Sequence, residues 1–367
     1  MDTVQARHSR RGSGRVITTS LDLRVATRRN GRRDGELMLV SPSGQRWLPA
    51  GAEAPTLQGL LDDWQTLAPR LEHRRRTLDS SGWQHAEAFN PRQCMAPLPR
   101  AYQWADASVY RNHARLIYQW RKEPIPPRYE EEPLVYQGGS DVMLGPEDDI
   151  VAVDEAHQID FEAEVGVITT DVPMGASVEQ AARSIALVVL LNDVSLRGLI
   201  PAELAKGFGF YQSKPATSFA PIAVTPHALG EGWRNGMLDM RVRVEVNGER
   251  FGEPHANSEV IFNFPQIIAH LARTRSLVAG SIIGAGTVSN ADPASGSACI
   301  TEARVREQLD GVAPERLSAY LRDGDQVRIE ARSPTSDSLF GAINQRVVLR
   351  RPIVDWNLIS IASGQVY

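Results

Sequence analysis

The sequence predicts a mixed α/β fold that is rich in strands, with a large domain preceded by a small one. Runs of alternating or continuous apolar residues recur along the chain, as in MRVRVEVNGERF from Met240 to Phe251, and such runs are typical of strands. Apolar residues at helical spacing are confined to a few short segments. Two prolines in APLPR, residues 96–100, indicate a stiff linker between the two units.

The small unit is predicted to span residues 15–96. Short β-type runs between Val16 and Val40 are separated by the turn signals Asn30-Gly31 and Asp34-Gly35. A helix is predicted in the segment APTLQGLLDDWQTLAPRLEHRRRTL, whose apolar residues share one side: Leu57, Leu60, Leu61, Trp64 and Leu67.

The large unit is predicted to span residues 97–367 and to alternate strands, short helices and loops. Its elements in chain order are an acidic strand from Ile159 to Ile168, a capping box from Ser177 to Gln180, a fully buried strand from Ala186 to Asp193, a strand ending at the Asn247-Gly248 turn, a helix in NFPQIIAHLAR, and closing strands in VRIEA and LFGAINQRVVL. Many strands with few long helices do not fit regular βαβ winding.

Composition excludes several classes of protein. The 367 residues are 42% hydrophobic and 23% charged, enough for a substantial core, and the net charge of −4 gives no reason to expect nucleic acid or an anionic membrane as a partner. Nine arginines and two aspartates lie between Met1 and Arg33. A basic arm for nucleic acid is one interpretation, but we expect a disordered basic tail over residues 1–14.

The cellular compartment follows from similar observations. No apolar run approaches the roughly 18 residues of a membrane span. Cys94 and Cys299 are too few for a disulfide framework. We therefore expect two free thiols and a cytoplasmic protein.

Several familiar catalytic motifs are missing. The sequence contains no Walker P-loop, no GxSxG nucleophile elbow and no HExxH. The eight histidines are scattered along the chain, which argues against a zinc site of His and Cys.

The acidic strand raises the question of a metal site. Glu162 and Glu164 lie two residues apart, so their carboxylates point to the same side, and Asp193 ends the buried strand. Oxygen ligands select a hard cation such as Mg²⁺, Mn²⁺ or Ca²⁺. By themselves, however, the two glutamates fit a solvated strand face and Asp193 fits a turn. Asp160 shares their face. We interpret it either as a residue that supports the ligands without binding the metal or as a residue that faces solvent.

A further motif identifies a family resemblance. In WADASVYRNHARL, Asp106 precedes His113 by seven residues. Together with the acidic strand, this pattern resembles the fumarylacetoacetate hydrolase family from about Pro97 to Val348. The other matching segments are VYQGGSD with Tyr136, LLNDVSLR with Asp193 and Arg197, YQSKPATSFAP with Lys214, GAGTVSN with Thr287 and GSACITEA with Glu302.

The resemblance implies a fold and a metal site. The fold would be the family's β-roll of mixed sheets with flanking helices, preceded by a small β-containing domain, and the family's members form homodimers. Four residues would hold one divalent cation, with Mg²⁺ the first expectation and Mn²⁺ or Ca²⁺ as alternatives: Asp106, Glu162, Glu164 and Asp193.

The resemblance also implies roles for the remaining residues. His113 and Glu302 would form a dyad that activates water. Arg197 and Lys214 would hold oxygens of the substrate, and Tyr136 and Thr287 would contact it. Arg121 or Lys122 would bind a carboxylate of the substrate.

The chain departs from the family pattern at three places. Ile200 stands where the hydrolases of the family have a glutamine, and Ser108 stands in place of a tyrosine, although Tyr110 is close in sequence. The interval between Thr287 and Glu302 is one residue longer than in the family pattern. These departures spare the metal ligands but leave the substrate open.

The function implied is that of a metal-dependent hydrolase. It would cleave a C–C bond in a 1,3-diketo acid or acylpyruvate through a metal-bound enolate. The alternative is a decarboxylase or a tautomerase (isomerase) of a 2-keto-diacid that uses the same metal-enolate chemistry, which Ile200 favours.

Overall fold

A computed structural model describes residues 21–78, 80–332 and 339–350. The tail predicted over residues 1–14 lies outside these ranges. None of the helices in these ranges combines the length and the apolar character of a membrane span.

Strands form most of the regular structure in the described residues. The first ten are β1 (Arg24–Arg28), β2 (Glu36–Val40), β3 (Arg46–Pro49), β4 (Glu87–Ala88), β5 (Gln103–Ser108), β6 (Leu134–Gly138), β7 (Ile150–Ala152), β8 (Ile159–Asp160), β9 (Ala163–Thr169) and β10 (Ile185–Asn192). The remainder are β11 (Ser195–Leu196), β12 (Ser218–Phe219), β13 (Ala223–Val224), β14 (Trp233–Arg234), β15 (Met237–Leu238), β16 (Arg241–Val246), β17 (Glu249–Gly252), β18 (Ser281–Gly286), β19 (Gln326–Arg332) and β20 (Ala342–Leu349).

The α-helices are short. They are α1 (Leu57–Asp62), α2 (Trp64–Thr77), α3 (Ser80–Gln84), α4 (Arg111–Arg121), α5 (Val178–Arg183), α6 (Ile200–Leu204), α7 (Phe264–Leu271) and α8 (Ile300–Leu309).

The strands form two main sheets. The larger has the order β4-β3-β2-β1-β13-β10-β9-β18-β5-β6, with β12 also paired to β10. Its neighbouring strands are antiparallel except for β18 and β5, which are parallel. The smaller sheet has the order β17-β16-β19-β20-β7. The prediction of a strand-rich mixed α/β fold is confirmed.

The larger sheet is covered on both faces, which explains the continuous apolar run of β10. Val188 and Leu190 belong to a core shared with Val242, Val244 and Ile329 of the smaller sheet. The alternate residues of β10 belong to a second core, together with the apolar side of α1 and α2: Leu187, Val189 and Leu191 against Leu57, Leu60 and Trp64. A strand buried on both faces needs no polar alternation.

Most of the predicted elements are present. Ser177 and Gln180 form the capping box of α5, and Asn247-Gly248, both with positive φ, connect β16 to β17. The helix predicted after residue 54 is interrupted at Asp63, whose φ of −130° and ψ of 44° separate α1 from α2.

The predicted acidic strand is also interrupted, between β8 and β9. Asp160 lies on β8, which pairs with β11, whereas Glu164 lies on β9, which pairs with β10. Glu162 occupies the break between them. Asp160 and Glu164 therefore project from two different sheets. As a result, these two acidic residues of one sequence motif have different neighbours.

Candidate active site

Adjacent strands of the larger sheet bring the predicted acidic residues together. Asp106 on β5 and Glu164 on β9 flank β18, and Asp193 directly follows β10. In this arrangement one carboxylate oxygen from each of the three lies within 4.8 Å of the others, and all three side chains are buried. Such an acidic triad could bind a divalent metal ion.

Glu162, the fourth predicted ligand, is bonded differently. Its carboxylate accepts hydrogen bonds from Lys214 Nζ at 2.7 Å and from Arg197 at 2.5 Å. Lys214 Nζ also lies 2.5 Å from Asp193 Oδ2. The lysine therefore joins Glu162 to the triad by ion pairs.

The three carboxylates of the triad differ in their hydrogen bonds. Asp193 accepts from the Tyr136 hydroxyl at 2.6 Å and from the Thr217 hydroxyl at 2.9 Å. By contrast, Asp106 Oδ1 and both carboxylate oxygens of Glu164 are buried with no hydrogen-bond partner among the described residues. Buried carboxylate oxygens without a donor are costly unless a cation compensates them.

The pKa values follow the same division. Burial and the nearby Asp193 raise the pKa of Asp106 to about 7, and burial together with Asp106 raises the pKa of Glu164 well above its usual range. Burial would also raise the pKa of Glu162, but the positive charges of Arg197 and Lys214 outweigh burial and lower this pKa below its ordinary value. Asp106 and Glu164 are thus the carboxyl groups that lack a compensating positive charge, and a divalent cation beside them would favour their ionised forms.

Two glycines of β18 make room for these carboxylates. A Cβ atom at Gly284 would lie 2.4 Å from Asp106 Oδ1, and one at Gly286 would lie 2.1 Å from the carboxyl carbon of Glu164. Real Cβ atoms do not approach other atoms so closely, so both side chains depend on glycine at these positions. The donor set, its unpaired oxygens and this glycine-lined space fit a divalent cation.

His113 and Glu302 form the predicted pair. His113 lies in the first turn of α4 and Glu302 in the first turn of α8, with 3.1 Å between Nδ1 and Oε2. Glu302 is fully buried, and its other oxygen accepts from Arg306 at 3.0 Å and from Ser297 at 3.3 Å. Burial alone would raise the pKa of Glu302, but His113 and Arg306 lower it.

The ionised state of Glu302 fixes the tautomer of the neutral imidazole. An ionised carboxylate only accepts hydrogen bonds, so His113 Nδ1 must carry the proton. Nε2 is then the unprotonated nitrogen. His113 also lines the cavity described below.

Asp160 is buried and holds other site residues in place. Its carboxylate accepts from Arg197 Nε at 2.8 Å and from the backbone N–H groups of Ile300 and Thr301 at 2.7 and 3.0 Å. The alternative that this residue faces solvent is therefore wrong. Asp160 connects Arg197 to the start of α8, the helix that carries Glu302.

A cavity of about 510 Å³ opens beside these groups. Its lining includes most of the residues singled out in the sequence: Asp106, His113, Arg121, Tyr136, Glu162, Arg197, Ile200, Lys214 and Thr287. Glu164, Asp193 and Glu302 are fully buried and are not among the lining residues. The hydroxyl of Tyr110 donates instead to the Ala256 carbonyl, so this tyrosine does not replace the one missing at Ser108.

Some functional positions are not singled out by the sequence. Thr217, Gly284 and Gly286 lie inside the matching segments YQSKPATSFAP and GAGTVSN but have no predicted role, and Arg306 lies outside all matching segments; each acts on a predicted residue. The hydroxyl of Thr287, which is buried without a hydrogen-bond partner in the described structure, lies in the predicted GAGTVSN segment.

Comparison with family models gives two matches that cover most of the chain. The model for the fumarylacetoacetate (FAA) hydrolase C-terminal matches residues 103–348, and that for fumarylacetoacetase N-terminal domain 2 matches residues 23–100. The predicted boundary between residues 96 and 97 is not tested directly and stays a prediction.

Individual relatives cover parts of the chain. A 2,4-didehydro-3-deoxy-L-rhamnonate hydrolase of Sphingomonas sp. is 28% identical over 45% of this chain and 54% of its own length. The oxaloacetate tautomerase YisK of Bacillus subtilis is 29% identical over 49% of this chain and 56% of its own length.

A solved structure shows the same fold over nearly the whole chain. It is the maleylpyruvate hydrolase from Sphingobium sp. SYK-6 in complex with manganese(II) ion and pyruvate. Its TM-score is 0.57 at 14% identity, and the alignment covers 89% of this chain and all of the other.

Proposed function

Because the chain belongs to the fumarylacetoacetate hydrolase family, we propose that it is a metal-dependent hydrolase of a 1,3-diketo acid or acylpyruvate. The observation that carries this proposal is the His113–Glu302 pair, which stands beside a buried cluster of carboxylates at one cavity. A base and a cation site at the same cavity are what C–C bond hydrolysis requires.

The cation site would comprise Asp106, Glu162, Glu164 and Asp193. Mg²⁺ is the first expectation, and Mn²⁺ or Ca²⁺ also suit an all-oxygen site. When bound, the ion would act as a Lewis acid that stabilises negative charge developing on the keto-acid oxygens. Glu162 would join the site once Lys214, which now bonds both Glu162 and Asp193, turns to the substrate.

His113 and Glu302 would activate water. His113 Nε2 would take a proton from a water molecule, while the buried carboxylate of Glu302 stabilises the resulting imidazolium. The reaction would add water to the acyl carbonyl and break the adjoining C–C bond. An acylpyruvate would give a carboxylic acid and pyruvate, with the proton on His113 available to the departing carbon.

The substrate would be held by groups that line the cavity. Lys214 and Arg197 would bind oxygens of the keto acid, and Tyr136 and Thr287 would contact it through their hydroxyls. Arg121 lies on the last turn of α4 and would meet a distal carboxylate in substrates that have one.

Paired variants test the proposed dyad. We expect His113→Ala and Glu302→Gln each to lower kcat for an acylpyruvate by roughly 10²–10⁴-fold, the usual contribution of a general base. Initial rates would be measured with Mg²⁺ or Mn²⁺ over a panel of acylpyruvates and diketo acids. Undiminished rates in both variants would rule out the dyad.

The second candidate is a tautomerase (isomerase) or decarboxylase of a 2-keto-diacid. Two observations favour it: Ile200, which cannot hydrogen-bond water, lines the cavity, and one relative is named an oxaloacetate tautomerase. Reaction in ¹⁸O-water separates the candidates. Hydrolysis places solvent oxygen in the acid product, whereas decarboxylation releases carbon dioxide and tautomerisation gives no cleavage product.

A homodimer and a cytoplasmic location remain predictions. A small-molecule keto acid is the partner that the cavity would accommodate, and no nucleic-acid or membrane role is proposed.

A further inference from the structure

The side chains that helix α4 contributes to the cavity beside the candidate site differ between the two ends of the helix. His113 and Ile117 both line it, and so do Trp120 and Arg121 near the end of the helix. Seven residues separate His113 from Trp120, about 10 Å along the helix axis at 1.5 Å per residue. The same helix thus presents a base at one end of the cavity and an indole at the other.

Strand β6 shows the same change. Tyr136 pairs with Asp106, and two residues earlier Leu134 pairs with Ser108. All four line the cavity. Two residues along a strand correspond to about 7 Å. The leucine therefore lies farther than the tyrosine from the carboxylates.

A third element completes an apolar rim. Ile200 and Leu204, one turn apart on α6, line the cavity together with Phe210 from the following loop. At the rim, Trp120 is 45% exposed, and Leu134 and Leu204 are each 41% exposed. Large apolar side chains exposed together at a cavity, rather than singly, are typical of a binding surface.

The positively charged side chains of the cavity either lie away from this rim or are exposed to solvent. Arg197 and Lys214 are held by the carboxylates of the polar end. Arg121 is exposed, so its guanidinium is hydrated without a substrate. An apolar group of the substrate would therefore bury the most apolar surface at the rim. The rim carries no buried positive charge that a distal carboxylate would have to neutralise.

We propose that the acyl group of the substrate is apolar, either aryl or branched alkyl, and lies between Trp120, Leu134 and Leu204. Its keto-acid end would then face His113 and the carboxylate cluster. This inference rests on the proposed function for the position of the reacting end. It adds the class of the group at the opposite end.

Turnover of three substrates tests the proposal. We expect kcat/KM for benzoylpyruvate or isovalerylpyruvate to exceed that for acetylpyruvate by at least about tenfold, the usual effect of filling an apolar pocket. Fumarylpyruvate, which ends in a carboxylate, should do no better than acetylpyruvate. A preference for fumarylpyruvate over the apolar substrates would overturn the proposal.

A matched pair of variants locates the effect at the rim. Leu204→Asn should reduce the preference for benzoylpyruvate over acetylpyruvate about tenfold. The control is Leu309→Asn, because Leu309 is also 41% exposed, also ends a helix, and does not line the cavity. The proposal fails if both variants keep the wild-type preference, or if Leu204→Asn changes only the oligomeric state.

Binding without turnover separates this proposal from hydrolysis. Calorimetry with Mg²⁺ would compare 2-oxo-4-phenylbutyrate with 2-oxoglutarate, which share one keto-acid end and differ in the distal group. Tighter binding of the phenyl compound supports the apolar group even if no acylpyruvate is hydrolysed, in which case only the proposed reaction fails. Equal or tighter binding of 2-oxoglutarate, or binding of neither, overturns the inference.

Discussion

Gly286 controls where the Glu164 carboxylate can lie. Its missing side chain leaves the space that this carboxylate occupies, since a Cβ atom there would lie within 2.2 Å of Glu164 Oε1. We expect Gly286→Ala to displace the carboxylate and to lower the affinity for Mg²⁺ or Mn²⁺ about 10–100-fold, as changes around metal ligands usually do. Isothermal titration calorimetry measures this change.

A second glycine provides the control. A Cβ at Gly139 would meet nothing closer than Asp141 Oδ1 at 3.9 Å. Gly139→Ala should therefore keep the wild-type metal affinity. If Gly286→Ala also binds the metal as the wild type does, Glu164 is not a ligand or its position does not depend on the glycine.

At this scale the sequence predicts which residues gather but not all of their contacts. The motif order places Asp106, Glu164 and Asp193 in one site, where the structure brings their carboxylates together. The pairing of Asp160 with Arg197 could not be predicted, because it depends on the break in the acidic strand. Period-two alternation places Asp160 beside Glu162, and both do bind Arg197. It gives no reason, however, to expect the backbone N–H groups of Ile300 and Thr301 as further donors to Asp160.

The loop between α6 and β12 depends on the single carboxylate of Glu203. Its oxygens accept from the backbone N–H groups of Tyr211, Gln212 and Ser213 at 2.7–3.1 Å and from the Ser213 hydroxyl at 2.5 Å. This loop carries Phe210, whose ring meets that of Tyr136 edge-on at 5.3 Å, and it leads directly into Lys214. Glu203 thereby fixes one wall of the cavity.

We predict that Glu203→Gln destabilises the protein by about 1–3 kcal/mol at neutral pH, because the amide nitrogen cannot accept and leaves buried or part-buried donors unsatisfied. Burial raises the pKa of Glu203, but these hydrogen bonds lower it from 4.5 to about 2. The stability that the carboxylate contributes is thus complete above pH 4.5 and is lost as the pH falls towards 2. Denaturant unfolding from pH 7 to pH 3 measures the difference.

The exposed Glu315→Gln is the control for this experiment, and it should unfold like the wild type throughout. A wild-type advantage over Glu203→Gln that did not narrow towards pH 3 would contradict the assigned role of the carboxylate.

Element boundaries could be predicted only where local chemistry sets them. Ser177 and Gln180 mark the start of α5 because their side chains satisfy its free N–H groups. The break at Asp63 has no such signal, since apolar spacing continues across it from Leu61 to Trp64. Both helices pack in one core with residues of the larger sheet, a tertiary contact that the local sequence does not show.

Across the whole molecule, removal of the metal should lower thermal stability. A cation at 100 times its dissociation constant stabilises the folded state by about 2.7 kcal/mol, and this contribution is lost when the cation is removed. We therefore expect the melting temperature to fall by several degrees on chelation. Differential scanning calorimetry with and without chelator measures the shift.

Glu164→Gln is the matched variant for this measurement. Its amide resembles the protonated acid that the raised pKa of Glu164 favours without metal. The variant should therefore melt near the metal-free wild type and should lose most of the response to metal. If chelation leaves the wild-type melting temperature unchanged, the carboxylates do not hold a cation under those conditions.

The pairing of β1 with β13 joins the N-terminal strands to the rest of the larger sheet, so the chain cannot be cut between the two regions without exposing a sheet edge. Strands β1 to β4 come from the first 88 residues, yet they continue through β13 into the part of the sheet where β10, β9, β18 and β5 carry or flank Asp193, Glu164 and Asp106. Cutting the chain near residue 97 would uncover the two-residue strand β13 and the apolar edge of β10 behind it. A bare edge of that kind invites pairing with other chains. The two regions of this chain are therefore expected to need expression as one unit, even though separate family models match them.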